Sequence, residues 1–148
     1  MTDEQAVLSD AALTTFRLNG QFLAVAETLA QPAGLTASWW QVLGAVLAQP
    51  LPVSGIAREM GMARQSVQRV ADILVDRGLA TYQDNPAHRR AKLVAPTAAG
   101  LDAVRQITPQ HAAAARALVR ELGPERAREC VDALRDLSDA LLRITDGR

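Results

Sequence analysis

Apolar residues recur at helical spacing in two short stretches near the middle of the chain. The first stripe comprises Ile56, Ala57 and Met60, and the second comprises Val67, Val70, Ala71 and Leu74. Steps of three and four place each set on one face of a helix, and we expect the first helix to begin at Val53. Gly61 and Gly78 follow the stripes and can adopt the positive φ that commonly ends a helix. The pattern therefore predicts two short helices joined by a tight glycine turn.

The polar positions at the start of the second helix carry side chains suited to nucleic acid. They are Arg64, Gln65, Ser66, Gln68 and Arg69. Arginine, glutamine and serine hydrogen-bond to base edges and phosphates, so the helix pair has the features of a helix-turn-helix. The same pattern is compatible with two ordinary helices of a bundle whose arginine and glutamine face is solvated.

A short hairpin with a basic tip is predicted directly after the second helix. Residues 79–83 and 91–94 favour strands. Residues 84–90 connect them and contain the turn signal Asn85–Pro86. The tip carries His88, Arg89 and Arg90. A hairpin at this place completes a winged helix, in which the second helix enters the major groove and a wing arginine reaches phosphate or the minor groove.

Two amphipathic stretches precede the winged helix. Residues 9–31 predict a helix that is ended by Pro32 and Gly34. Thr36 is the expected N-cap of a second helix over residues 37–48. The apolar face of the first is Leu13, Phe16, Phe22, Leu23, Ala26 and Leu29, and the expected inward residues of the second are Trp40, Leu43, Val46 and Leu47. The first face could pack on its own domain or on a second subunit.

Two further helices are predicted after the hairpin. The first opens at Pro96–Thr97. Thr108–Pro109 predicts a kink or restart near residues 105–109, because proline removes a backbone donor and clashes one turn back. Gly123–Pro124 ends this helix and begins the last one, over residues 125–145. The apolar residues of the last helix are Ala127, Cys130, Val131, Leu134, Leu137, Leu141 and Ile144. Their coiled-coil-like spacing needs a partner, either the N-terminal helix or a symmetry mate.

Charge is distributed unevenly although the formal net charge is zero. Residues 63–95 hold six basic and three acidic side chains, a local charge of +3, whereas residues 1–35 hold one arginine and four acids, a local charge of −3. Zero net charge argues against a general nucleic-acid coat protein. A basic centre beside an acidic end is what a DNA-binding face on a neutral body shows. Lys92 is the only lysine, and arginine can bind phosphate and guanine bidentately.

Length and composition exclude several other classes. The 148 residues suffice for one domain with a core. No apolar run approaches the roughly 20 residues needed to cross a bilayer. The acidic start and the single cysteine favour a cytoplasmic protein without a signal peptide or an internal disulfide. The sequence offers no metal-ligand spacing, phosphate loop or nucleophile turn, so we expect no metal, no cofactor and no catalysis.

Three segments resemble the MarR (multiple antibiotic resistance regulator) family of bacterial transcription factors. They are LTASWWQVL (35–43), IAREMGMARQSVQRVADILVDRGL (56–79) and NPAHRRAKLVAPTAAG (85–100). The chain departs from the family's wing pattern at Asn85 and His88, where acidic residues are usual, and at Pro96, where leucine is usual. The missing carboxylates call into question any salt bridge that braces Arg89. Ala63 replaces the usual Ser or Thr cap of the recognition helix, which forfeits roughly 1 kcal/mol.

The resemblance implies a mainly α-helical fold with a small β-hairpin wing, in one domain over residues 1–148. Residues 36–95 are expected to form the winged helix-turn-helix lobe, and residues 1–35 and 97–148 the dimerisation helices. It further implies a homodimer that acts as a repressor on a pseudo-palindromic operator in double-stranded DNA. The expected DNA contacts are Arg64, Gln65, Ser66, Gln68, Arg69, His88, Arg89 and Arg90.

Members of this family often bind small phenolic or carboxylate effectors at the junction between the dimer helices and the DNA-binding lobe. Trp39 is the expected lining residue there, with Trp40, Phe16 and His111 as further candidates. One tryptophan as a core anchor beside a partly exposed neighbour, and a structural or solvated histidine, account for the same residues without a ligand. Two other functions stay open: a winged-helix protein-interaction module, and a small-molecule-binding protein without specific DNA binding.

Overall fold

The computed structural model describes residues 1–146 and is mainly α-helical with one small sheet, which confirms the predicted fold class. The helices and strands are α1 (Asp3–Ala30), α2 (Ala37–Ala45), β1 (Leu51–Pro52), α3 (Val53–Met60), α4 (Arg64–Asp76), β2 (Ala80–Gln83), β3 (Leu93–Pro96), α5 (Ala98–Leu122) and α6 (Pro124–Asp146). The chain forms two compact units, Met1–Thr108 and the residues from Pro109 onward.

Helix α1 begins six residues earlier than predicted because a capping box lies at the start of the chain. The Thr2 hydroxyl accepts from the Gln5 backbone N–H at 3.2 Å, and the Gln5 side chain accepts from the Thr2 N–H at 2.8 Å. Such a box satisfies two backbone donors at once. The other end agrees with the prediction to one residue, with a 3₁₀ turn over Gln31–Ala33 and Gly34 at a φ of 77°.

Only part of the predicted apolar face of α1 is buried. Leu23, Ala26 and Leu29 are half-buried on the side that packs against α2, whereas Phe16 and Phe22 are exposed. One side of the C-terminal half of the helix therefore packs on its own lobe, whereas other apolar residues along the helix stay exposed.

Helix α2 is anchored as predicted but is shorter. The Thr36 hydroxyl accepts from the Trp39 N–H at 3.1 Å, and the Glu27 carboxylate of α1 accepts from the Ala37 N–H at 2.9 Å. The helix ends at Ala45 rather than at residue 48. Leu47 consequently lies beyond the helix and is 45% exposed, so its predicted inward position is wrong.

The helix-turn-helix is confirmed. Helices α3 and α4 are joined through Gly61, which adopts a φ of 61°. The two apolar stripes meet in one core, where Ile56, Val67, Ala71 and Leu74 are completely buried together with Leu43 of α2. Ala63 stands at the N-cap of α4 and provides no side-chain hydrogen bond, as its residue type requires.

The hairpin is confirmed, but the sheet has three strands in the order β1-β3-β2. Strand β3 begins at Leu93, two residues later than predicted, and pairs Val94 with both Tyr82 and Leu51. The sequence of residues 49–52, QPLP, is typical of a stiff connector rather than of a strand. Proline is tolerated on an edge strand, and β1 lies at the edge of the sheet. Because proline generally argues against a strand, the composition of this segment did not predict the pairing.

The start of α5 is held tightly against the segment between α4 and β2. The Thr97 hydroxyl donates to the Gly78 carbonyl at 2.6 Å and accepts from the Gly100 N–H at 3.1 Å. A Cβ at Gly100 would lie 2.0 Å from the Leu79 carbonyl oxygen. Only glycine therefore fits at this crossing.

Helix α5 continues through Pro109, so the predicted restart is not observed, and a kink at this proline stays a prediction. It ends at Leu122, and Gly123 at a φ of 86° separates it from α6, as predicted. No residue of the described part of α6 is buried. Its exposed large apolar residues are Val131, Leu134, Leu137, Leu141, Leu142 and Ile144.

Candidate nucleic-acid interface

The polar residues of α4 face two different grooves. Arg64, Gln65 and Gln68 line an open groove of about 810 Å³ between α4 and the hairpin, which we call the wing groove. Ser66 and Arg69 line a second hollow of about 470 Å³, formed with α1, α2 and the Gly61 turn. The helix therefore separates the five residues that the sequence pattern grouped together.

The hairpin tip is built from two consecutive turns. The His88 N–H donates to the Asn85 carbonyl at 3.1 Å, and the Ala91 N–H donates to the His88 carbonyl at 3.2 Å. The Asn85 side chain accepts from the Ala87 N–H at 3.1 Å, a local turn that asparagine favours. Asn85 thus supports the tip by a hydrogen bond although it lacks the carboxylate usual in the family.

These turns distribute the basic residues of the tip. His88 and Arg90 line the wing groove together with Lys92, whereas Arg89 lines a separate hollow with Asp84, Asn85 and Pro86. All three predicted tip residues are exposed. The structure therefore places His88 and Arg90, but not Arg89, beside the wing-facing residues of α4.

The wing groove is electropositive. Arg64, Arg90 and Lys92 contribute cations, and the residues that line the groove include no carboxylate. Lys92 lies 3.4 Å from Asp84 in a solvent-exposed ion pair, which stabilises the hairpin only weakly. Within residues 1–146 no carboxylate is within salt-bridge distance of Arg89 or Arg90. Both guanidinium groups remain available to an anionic ligand such as phosphate.

A hydrogen-bonded cluster joins α4 to the wing, and sequence reasoning did not find it. The Tyr82 hydroxyl on β2 donates to the Asp72 carboxylate on α4. The Gln68 amide nitrogen donates to Asp72 at 3.0 Å and to the Tyr82 oxygen at 3.1 Å. The i, i+4 spacing of Gln68 and Asp72 was a visible signal. Their meeting with Tyr82 depends on how β2 folds back along α4.

The environment of Tyr82 keeps its hydroxyl protonated. Burial, the hydrogen bond to Asp72 and the charge of that carboxylate together raise the pKa of Tyr82 to about 12, against a smaller lowering by the Gln68 N–H. The hydroxyl is therefore a donor to Asp72 throughout the physiological range, and the cluster has a definite direction of hydrogen bonding.

The residues predicted to bind an effector lie outside the grooves described above. Trp39 is half-buried against the core, and the Arg77 guanidinium lies over its ring at 5.2 Å from the centroid, a cation–π contact. Phe16 is 70% exposed. His111 belongs to the second compact unit. The grooves named above are lined by none of Phe16, Trp39, Trp40 or His111, and their role in effector binding stays a prediction.

The described residues form neither a metal-binding cluster nor a membrane-spanning helix. Among residues 1–146, no three His, Cys, Asp or Glu side chains come together closely enough to hold a metal ion. Over the same residues, no helix combines the length and apolar character required to cross a membrane.

The MarR family profile matches residues 33–91, which include α2, the helix-turn-helix and most of the wing. An uncharacterized protein of Mycobacterium tuberculosis is 35% identical over 141 residues, covering 95% of this chain and 96% of the relative.

Solved structures have the same fold at low identity. CouR from Rhodococcus jostii RHA1, bound to p-coumaroyl-CoA, superposes with a TM-score of 0.74 at 24% identity and covers 90% of this chain and 94% of its own. The M. tuberculosis regulator MosR in complex with DNA gives a TM-score of 0.70 at 23% identity, with 88% and 97% covered. With the helix-turn-helix, the three-stranded wing and the profile match in agreement, the chain belongs to the MarR family of transcription regulators.

Proposed function

We propose that this protein is a homodimeric repressor that binds a pseudo-palindromic operator, with α4 in the major groove and the hairpin tip against phosphate or the minor groove. One observation carries the proposal: the wing groove brings Arg64, Arg90 and Lys92 together on an exposed surface with no carboxylate among its lining residues. Guanidinium groups in such a groove match the geometry of guanine edges and phosphates. That MosR was solved with DNA supports the same use of the fold.

A second copy of the chain is the partner that best explains the exposed apolar residues of α1 and α6. Phe16 on α1 and Ile144 on α6 are 70% and 67% exposed, and further leucines and valines of both helices accompany them. Exposed large apolar residues that repeat along a helix usually mark an interface. A two-fold dimer would present two α4 helices, which requires operator half-sites about one helical turn apart.

Release by a small aromatic or carboxylate effector is part of this proposal. CouR was solved with p-coumaroyl-CoA, an aromatic acyl thioester. In this chain Trp39, Trp40, Phe16 and His111 are the residues we assign to such a ligand. Arg77, which lies over the Trp39 ring, adds a cation that a carboxylate effector could engage.

The test is fluorescence anisotropy with DNA from upstream of the protein's own gene, at two salt concentrations, against a scrambled duplex. We expect binding to the natural duplex to be about a thousandfold tighter and to weaken steeply with salt. Equal, weak binding to every duplex in a random library would instead favour a protein-interaction module. Tryptophan quenching by aromatic acids in the absence of any DNA affinity would favour a small-molecule-binding protein.

Two arginine variants separate base reading from phosphate binding. Arg64→Ala should lower discrimination among operator variants by roughly 1–3 kcal/mol, since an arginine–guanine pair contributes that much. Arg90→Ala should weaken binding to all duplexes and reduce the salt slope by about one for each phosphate contact that is lost. Arg105→Ala, on α5 and outside the wing groove, removes the same charge and is the control. Wild-type behaviour of both groove variants would show that the DNA face is assigned wrongly.

A further inference from the structure

The amide orientation of Gln68 is determined by its neighbours. A carboxylate is only an acceptor, so the side of the amide that faces Asp72 must be the nitrogen. That nitrogen carries two hydrogens, and the structure uses one on Asp72 at 3.0 Å and one on the Tyr82 oxygen at 3.1 Å. The reversed amide would place its carbonyl oxygen against the carboxylate, an unfavourable contact between two acceptors. Both donor positions of Gln68 are therefore occupied within the protein.

The carbonyl oxygen of Gln68 is the polar group that remains. Gln68 is exposed and lines the wing groove beside Arg64 and Gln65. Gln65, one turn earlier on α4, makes no hydrogen bond to Asp72 or Tyr82 and keeps both its donor and acceptor groups. Two glutamines of the same helix thus present different chemistry to the groove.

We propose that Gln68 reads DNA as a hydrogen-bond acceptor only and selects a base that presents an amino group in the major groove. Asp72 and Tyr82 are the positioning residues, because they hold the Gln68 amide nitrogen away from the base. The inference rests on the proposed operator binding and specifies one element of its sequence preference. In the major groove adenine and cytosine each present an amino donor, whereas guanine and thymine present only acceptors at their base edges.

This preference differs from that of an unconstrained glutamine. A free glutamine selects adenine by pairing both its groups, the oxygen with the amino group and the nitrogen with the ring acceptor. The nitrogen of Gln68 already donates to Asp72 and Tyr82, so it cannot donate to the ring acceptor of adenine. Adenine and cytosine then each form one hydrogen bond with Gln68, and we expect them to bind equally well. We therefore expect adenine or cytosine over guanine or thymine at one position of each half-site.

The experiment measures binding of operator duplexes that carry each of the four bases at every position of the half-site. For the wild type we expect adenine and cytosine to bind alike and to exceed guanine and thymine by about tenfold, the value of one net hydrogen bond. Gln68→Ala should reduce this ratio to less than about twofold at that position alone. The base preferences that belong to Arg64 should persist in this variant.

Asp72→Ala is the decisive variant, because it frees the amide to turn without changing Gln68. We expect guanine and thymine to become tolerated at the same position, within about threefold of adenine and cytosine. Asp76→Ala removes the same charge from the same helix, at an exposed residue that takes no part in the cluster, and should leave the wild-type preference intact. A preference that is unchanged by Gln68→Ala, or changed equally by the two aspartate variants, would overturn the proposal.

A measurement without DNA separates this proposal from operator binding. Tyr82 is the only tyrosine, so ultraviolet titration of tyrosinate reports the cluster alone. Asp72→Ala should lower the pKa of Tyr82 from about 12 towards its ordinary value of 10, and Asp76→Ala should not. If the pKa of Tyr82 changes as expected in the two variants but the wild type prefers no duplex, the operator proposal has failed, and this inference fails with it. If the wild type binds DNA specifically but Asp72→Ala leaves the pKa of Tyr82 unchanged, the hydrogen-bonded cluster does not exist and this inference fails alone.

Discussion

The winged helix and the last helix of this chain treat their apolar residues in opposite ways. In the winged helix, Ile56, Val67 and Leu74 are completely buried by neighbouring elements of the same chain. In α6, Leu134, Leu137 and Leu141 remain 39–49% exposed, although they have the same helical spacing. Periodicity alone does not distinguish the two cases. The winged helix supplies its own core, whereas α6 leaves its apolar residues exposed, and in the proposed dimer a second copy of the chain would cover them.

The largest expected effect is a loss of stability in the winged helix, which supplies its own core. In Gly100→Ala the new Cβ would lie 2.0 Å from the Leu79 carbonyl oxygen, so the start of α5 must move away from the Leu79 backbone. We expect the free energy of unfolding to fall by about 3 kcal/mol, the upper range for overpacking. Urea denaturation measures this. Gly20→Ala, on α1 with open space around the new Cβ, is the control and should be no less stable than wild type.

The next largest effect is expected in α6, where a substitution should weaken the proposed dimer. Leu137→Glu places a charge in the proposed interface, once from each subunit, and should raise the dimer dissociation constant about a hundredfold or more. Analytical ultracentrifugation measures the association. Arg143→Glu places the same carboxylate at an exposed position on the opposite face of α6 and should leave the dimer intact. Equal association of the two variants would show that the leucine seam is not the interface.

A smaller change should strengthen the winged helix without affecting association. Ala63→Ser supplies the hydroxyl that the N-cap of α4 lacks, and we expect about 1 kcal/mol of added stability. Thermal unfolding measures it. Ala63→Val, which adds side-chain atoms but no acceptor, should show no such gain; a gain in both variants would point to a cause other than capping.

The smallest effect concerns pH and again belongs to the winged helix. The pKa of Tyr82 in the folded protein is about 12, above its ordinary value of 10. A raised pKa contributes stability that is fully present below pH 10 and is lost as the pH rises through 12. The free energy of unfolding of the wild type should therefore decline over this window, and Tyr82→Phe should lack that part of the decline. An identical pH profile of the two proteins would contradict the assignment.

Local sequence determined much of this protein. The steps of three and four residues, Gly61, Thr36 and the Gly123–Pro124 pair define helices, a turn, a cap and a helix boundary. Each of these acts over one turn of chain or less, and each was found where it was predicted. The capping box at Thr2 was equally local and readable, and its omission misplaced the start of α1.

Tertiary structure decided the features that require two distant segments to meet. Leu51–Pro52 becomes a strand because Leu93 and Val94 provide its partners, and the register of β3 follows from that pairing. Helical periodicity places Gln68 and Arg69 on different sides of α4, but only the folded hairpin decides that the Gln68 side faces the wing. The contact of Tyr82 with Asp72 likewise exists only after β2 returns along α4, because hydrogen bonds between segments depend on a geometry that no single segment encodes.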